Sequence, residues 1–254
     1  MKPIGIQLYT LRKDVYPGGD DLPGVLKTVA EIGYKGVEFA GLHGNDPKEI
    51  AKIVNDLGLK VSSSHAGIPD KDNVQQIVDT ESALGNKRVI GGIGPNDVKT
   101  IDGCKAAAER FSTAVELLKP HGMTFGFHNH WWEFETVDGK LVYDILLAEV
   151  PGVFSELDVY WAAYGGADAA DITKKNSSRI PLLHIKDGML KQGEHVHTAV
   201  GSGLMKMPEI IGAADPNVLD WLIVELDACA TDMLEAVRQS YYYLTKQGLA
   251  SGNK

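Results

Sequence analysis

The chain has 254 residues, 44% of them hydrophobic and 23% charged. That apolar share excludes a disordered protein, and the length suits one large domain, since α/β barrels of about 250 residues run as one. With 25 Lys and Arg against 34 Asp and Glu the net charge is -9, which disfavours a general nucleic-acid binder because phosphate backbones need a basic face.

The start, Met1-Lys2-Pro3-Ile4-Gly5, has no apolar stretch behind a basic head, so no signal peptide is expected. No uninterrupted run of about 18 apolar residues occurs, so no membrane span is expected. Cys104 and Cys229 cannot build a disulfide framework and read as two small buried hydrophobes. A cytoplasmic protein is the resulting expectation.

Strand candidates follow in chain order as Ile4–Tyr9, Gly36–Phe39, Lys60–Ser64, Lys87–Gly91, Thr124–His128, Val153–Asp158, Ile180–Ile185 and Trp221–Glu225. Several are nearly continuous apolar runs, as strands buried on both faces of a parallel sheet are. Between them lie helical patterns. Leu22–Ile32 stops at Gly33, Pro47–Leu57 at Gly58, Val74–Leu84 at Gly85 and Ala106–Leu118 at Lys119-Pro120, and Met233–Leu244 closes the series. Strand–helix alternation repeated eight times predicts a (β/α)₈ TIM barrel, one domain over residues 1–254. A doubly wound open sheet is the rival. Its phosphate loop is missing, because Gly91-Gly92-Ile93-Gly94 leads into Pro95 without the G-x-G-x-x-G spacing.

A barrel carries its chemistry at the C-terminal ends of its strands. There the sequence sets Glu38, His65, His128-Asn129-His130, Glu156-Leu157-Asp158, His184-Ile185-Lys186-Asp187 and Glu225-Leu226-Asp227. Ionisable groups inside apolar strands are costly to bury without partners. A divalent cation is the simplest way to hold converging carboxylates and histidines together, and this ligand chemistry does not choose among Mn²⁺, Co²⁺, Mg²⁺ and Zn²⁺.

These residues resemble the sugar isomerase/epimerase family with the xylose-isomerase-like barrel. The resemblance runs from Ile4-Gly5-Ile6-Gln7-Leu8-Tyr9 through Gly36-Val37-Glu38-Phe39, Leu157-Asp158, His184-Ile185-Lys186-Asp187 and Gly201-Ser202-Gly203 to Val224-Glu225. It implies one divalent metal held by Asp158, His184 and Glu225. The fourth ligand, a glutamate in many relatives, is replaced here by either His128 or Glu133. The implied activity is isomerisation or epimerisation of a sugar or keto-sugar through an enediolate stabilised by the cation, with Glu225 as first candidate base and Glu133, His128 or His130 opposite. Glu38, His65, Lys186, Asp187, Trp131 and Trp161 are candidate substrate-binding residues, and the loop histidines His195 and His197 are candidates for the mouth. The same chemistry admits a lyase or dehydratase acting on a keto-sugar, keto-glycoside or inosose. A non-catalytic sugar-binding barrel is the remaining alternative. The related DNA-repair endonuclease branch needs a histidine three residues after Asp158, where this chain has Trp161. The expected partner is a small carbohydrate, with no nucleic acid and no membrane, and a homodimer is left open.

Overall fold

The computed structural model describes residues 1–14, 16–191, 193 and 197–254. Eight parallel strands close a barrel: β1 Lys2–Gln7, β2 Gly36–Phe39, β3 Lys60–His65, β4 Arg88–Gly91, β5 Thr124–His128, β6 Phe154–Asp158, β7 Leu182–Ile185 and β8 Trp221–Val224. Each pairs with the next, and β8 returns to β1 with Ile6 opposite Val224. This is the (β/α)₈ barrel that the alternation predicts. Among the described residues no helix is long and apolar enough to cross a membrane.

Local signals set most boundaries. The helix Leu22–Ile32 begins at an Asp21 cap and ends at Gly33, in the left-handed region at φ 119°. The fourth helix begins at Ile101, earlier than Ala106, because Thr100 accepts the Gly103 N–H and opens it. β1 ends at Gln7, before the expected Tyr9, because the Gln7 side chain accepts the Tyr9 N–H and turns Leu8–Leu11 into a 3₁₀ helix. Four helices not foreseen, Val142–Glu149, Val159–Tyr164, Ala169–Lys175 and Met207–Gly212, are short. Their six to eight residues show too little of a helical period to stand out. Cys104 is buried as expected, whereas Cys229 is only partly so.

Strand alternation sorts the side chains into layers. Outward residues such as Val37, Phe127, Leu157, Leu183, Leu222 and Val224 join the large apolar core beneath the helices. A separate small cluster of Ile90, Leu182 and Ile223, packed by Phe154 and Trp221, fills the barrel interior. Above this floor the inward positions turn polar: Glu38, His128, Glu156, His184 and Glu225 each lie two residues after an inward apolar residue or glycine. The floor requires glycine opposite Trp221. A Cβ at Gly36 would fall 2.6 Å from the Trp221 ring and 2.9 Å from the Lys60 carbonyl oxygen. Gly36→Ala is therefore expected to cost about 1–3 kcal/mol by overpacking, read as a lower urea midpoint at unchanged m-value.

Candidate active site

His184 stands at the centre of the polar layer. Its Nε2 lies 2.7 Å from Glu38 Oε1 and 3.1 Å from Glu156 Oε2, and its Nδ1 lies 3.0 Å from Glu225 Oε2. His65, ending β3, sets its Nε2 2.7 Å from Glu156 Oε2 and 3.2 Å from Glu38 Oε1. Gln7 donates to Glu38 Oε1 at 2.7 Å, and the Ser63 hydroxyl donates to Oε2. Burial alone would depress both imidazoles, but the carboxylates outweigh it. Glu38 and Glu156 lift His65 to about 10, and Glu156, Glu38 and Glu225 lift His184 well above the histidine range. Burial likewise pushes Glu156 up, and His184 and His65 more than reverse it, leaving the carboxyl well below its ordinary range.

Lys186, two residues beyond His184, also points inward and is fully buried. Its Nζ lies 2.6 Å from Asp227 Oδ2, 2.9 Å from Glu225 Oε2 and 3.0 Å from Asp158 Oδ2. The Asp227 contact is a hydrogen bond, whereas the Asp158 contact is an ion pair outside hydrogen-bond geometry. These three carboxylates overcome the burial that would depress the ammonium and keep it well above the usual lysine range. In return Lys186 and His184 hold Glu225 well below the carboxylate range against the upward push of burial, while at Asp158 burial wins and the carboxyl is raised. Asn129 clamps the end of β6, accepting the Asp158 N–H at 2.9 Å and donating to the Asp158 carbonyl at 3.2 Å.

Four of the expected ligands come together. His128, Asp158, His184 and Glu225 each bring one donor atom within 4.8 Å of the others, and the overlapping group His65, His128, Glu156 and His184 does the same. Three donor atoms in these groups are buried and make no hydrogen bond: Glu156 Oε1, Asp158 Oδ2, which is ion-paired with Lys186, and His128 Nδ1, 3.3 Å from Glu156 Oε2. Buried polar atoms are nearly always paired. Mixed imidazole and carboxylate donors with such gaps fit a divalent cation.

Glu133, the alternative to His128, lies in neither group. Its carboxylate is fully buried and turns back to accept the His130 N–H at 2.8 Å, fixing the turn after β5. Burial pushes it up to about 8. A carboxyl raised in the fold binds a proton that the unfolded chain has lost, so stability falls as pH climbs from about 4.5 to 8. Glu133→Gln removes that slope. It is expected to gain up to about 3 kcal/mol over the parent at pH 7 and little at pH 4, read from urea unfolding at both.

His130 stacks on Trp132 with centroids 4.3 Å apart, and burial, ahead of the neighbouring His128 and Lys186, brings it down to about 2, so its imidazole is neutral. Trp131 and Trp161 pack 4.9 Å apart, and the Lys186 ammonium lies 5.1 Å from the centroid of the Trp161 ring. Asp187 faces away from the expected role of positioning hydroxyls. It is fully buried and accepts the N–H groups of Gly188, Gly201, Gly203 and Met205. That explains the glycine at 203, where a Cβ would fall 2.2 Å from Asp187 Oδ1. His197 is buried beside Asp227, whose N–H it accepts, and His195 lies outside the described residues. The sequence places Glu156 and Asp227 among the strand-end groups but gives neither a role. The signal was present, since each lies two residues from an inward site residue on its strand and so faces the same interior.

A closed barrel with buried imidazoles and carboxylates at the C-terminal ends of its strands defines the class of TIM barrels whose chemistry sits at that mouth. Within it, the chain belongs to the xylose isomerase-like TIM barrel family, whose model matches residues 26–246. A search of curated proteins gives no match. Among solved structures it is similar to a sugar phosphate isomerase/epimerase from Parabacteroides distasonis, with 27% identity, TM-score 0.81, and 98% of this chain and 96% of that one covered. An L-ribulose 3-epimerase shares the fold at 18% identity and TM-score 0.74, covering 98% and 95% of the two chains. So does a probable 3-DHS dehydratase from Bacillus anthracis at 15% identity and TM-score 0.77, covering 96% and 99%.

Proposed function

We propose that this barrel is a divalent-metal-dependent isomerase or epimerase of a sugar or keto-sugar, moving a proton on a carbon next to a carbonyl. The observation that carries this reading is the convergence of His128, Asp158, His184 and Glu225 within 4.8 Å at the mouth, with the overlapping His65 and Glu156 group beside it. His128 and His184 belong to both groups and would hold the ion together with carboxylates from one of them. When bound, such a metal polarises a carbonyl and acidifies the neighbouring C–H. The similarity to the sugar phosphate isomerase/epimerase supports a sugar as substrate.

The chain's own groups divide the remaining work. Glu225, held ionised by Lys186 and His184, is the base that takes the proton. Lys186 fixes that carboxylate from one side while His184 Nδ1 fixes it from the other. His65, whose side chain is 26% exposed, presents a cationic donor toward the opening for a sugar oxygen. Trp131 and Trp161 form an apolar wall suited to the C–H face of a sugar. His65 also favours a second reading. A cationic donor at the mouth suits protonation of a departing β-substituent, which makes the protein a lyase or dehydratase after the same first proton loss.

A panel of aldoses, ketoses and 3-keto-glycosides, with the protein chelated and then reloaded with Mn²⁺, tests both readings by mass spectrometry. Products of unchanged mass that need the metal support the isomerase. Loss of a leaving group supports the lyase, and turnover indifferent to chelation contradicts both.

A further inference from the structure

Behind β3 lies a cavity that the chemistry above does not use. Alternation along that strand sends Ser63 inward to Glu38 and the next residue outward, where the Ser64 hydroxyl donates to Glu81 Oε2 at 2.7 Å. Glu81 belongs to the helix Val74–Leu84 and is only 3% exposed. Asn86 Nδ2 also donates to Oε2, at 2.7 Å, whereas Oε1 accepts no hydrogen bond among the described residues and keeps contact with solvent. Burial raises this carboxyl against both donors, so a further donor at Oε1 would stabilise its charged form. The cavity that Glu81 lines holds about 390 Å³, within the roughly 300–1,000 Å³ of small-molecule sites. Phe39, Ile77 and Leu84 give it apolar walls. Gln76 and Thr80, whose side chains make no hydrogen bond among the described residues, give it polar ones. No lysine or arginine lines it and Glu81 opposes an anion, which leaves a neutral, hydroxylated ligand as the chemical match.

His65 joins this cavity to the reaction centre. Its side chain lines the cavity while its Nε2 touches Glu156 and Glu38. We propose that the cavity is a subsite for a second sugar ring, so that the substrate is a glycoside of two rings rather than a free monosaccharide. The reacting ring lies at the centre around His184, and His65 stands between the two rings. Glu81 Oε1, Thr80 and Gln76 bind hydroxyls of the second ring, whose C–H face packs on Ile77 and Leu84. The inference rests on the sugar reading above and deepens it by stating how far the substrate extends beyond the reacting carbon.

Methyl glycosides, which have no carbonyl to react, separate binding from turnover. Calorimetric titration of the full chain with Mn²⁺ present compares methyl β-glucopyranoside with methyl β-cellobioside and methyl α-maltoside. At least one two-ring probe is expected to bind about tenfold or more tighter than the single ring. A crystal soaked in that probe should show the second ring within hydrogen-bond distance of Glu81 Oε1. Thr80→Trp, which fills the cavity, should bring the two-ring probe down to the affinity of the single ring. Glu81→Gln keeps an acceptor for Ser64 and Asn86 but puts an amide in place of Oε1, and should cost the two-ring probe about fivefold. Thermal unfolding checks that each variant folds, and the soaked crystal of the parent needs no variant. Equal affinities for one and two rings, no binding of either kind, an advantage that Thr80→Trp leaves intact, or a second ring lying elsewhere overturns the subsite. Each of these leaves the proton-transfer reading standing, because solvent exchange and product mass test that reading separately.

Discussion

Replacing His184 by alanine is expected to abolish Mn²⁺ binding and to lower kcat by about a thousandfold or more, the several kcal/mol that a cation's charge stabilisation supplies. His184, like His128, belongs to both donor groups, so the loss is expected whichever group holds the ion. It also touches Glu38, Glu156 and Glu225, so its removal takes one cation from three carboxylates and leaves a void among them. His184→Gln, which keeps a polar side chain there, separates loss of the site from loss of the fold. Activity should be absent in both variants, while the glutamine variant keeps the parent's far-UV circular dichroism and a cooperative urea transition, at a lower midpoint because a buried cation among three carboxylates is lost. Substantial turnover by either would show that the centre is not where the chemistry occurs.

The second large effect concerns stability. Lys186→Met should destabilise the protein by about 3–5 kcal/mol, because it leaves Asp158, Glu225 and Asp227 buried or half-buried without their cation. The deficit has a definite pH dependence. Glu225 is depressed in the fold, so its contribution is full above the unfolded value near 4.5 and is lost as pH falls through the depressed folded value. Lys186 is raised, so its contribution is full below about 10.5 and is lost as pH rises through the raised folded value. The variant's deficit is therefore expected to be widest across neutral pH and to shrink below about pH 4.5, as the stranded carboxylates take up protons. Urea unfolding at pH 4 and pH 7 reads the difference. Adding Asp227→Asn should recover part of the loss, since it removes one of the three stranded charges. A deficit equal at both pH values would mean that Lys186 contributes by packing alone.

Much of this architecture is legible in the chain because the barrel repeats two short-range signals. Apolar strands of four to six residues recur, and helices stop at glycine or proline, so the eight strands and the five longer helices are visible locally. The site is legible to the extent that strand ends mark it. His65, His128, Asp158, His184 and Glu225 all converge, although they are spread over 161 positions of sequence. The partners inside the site are harder to read. Lys186 and Asp187 are adjacent, yet alternation sends one to three carboxylates inside the barrel and the other to four backbone N–H groups in the loop above. Sequence proximity alone favours treating them as a pair. Glu133 was similarly ambiguous, because the direction of a turn after a strand is set by which hydrogen bonds close it. Here the His130 N–H draws the carboxylate back.

The central claim, metal-dependent proton transfer next to a carbonyl, is tested most directly by solvent exchange. The Mn²⁺-loaded protein is incubated in D₂O with the keto-sugar that the panel identifies, and deuterium on the carbon beside the carbonyl is followed by NMR. Exchange at a single carbon is expected, lost on chelation, restored on reloading and absent in Glu225→Gln. Product formation with no solvent deuterium, or exchange that Glu225→Gln leaves unchanged, would contradict a proton taken by this carboxylate.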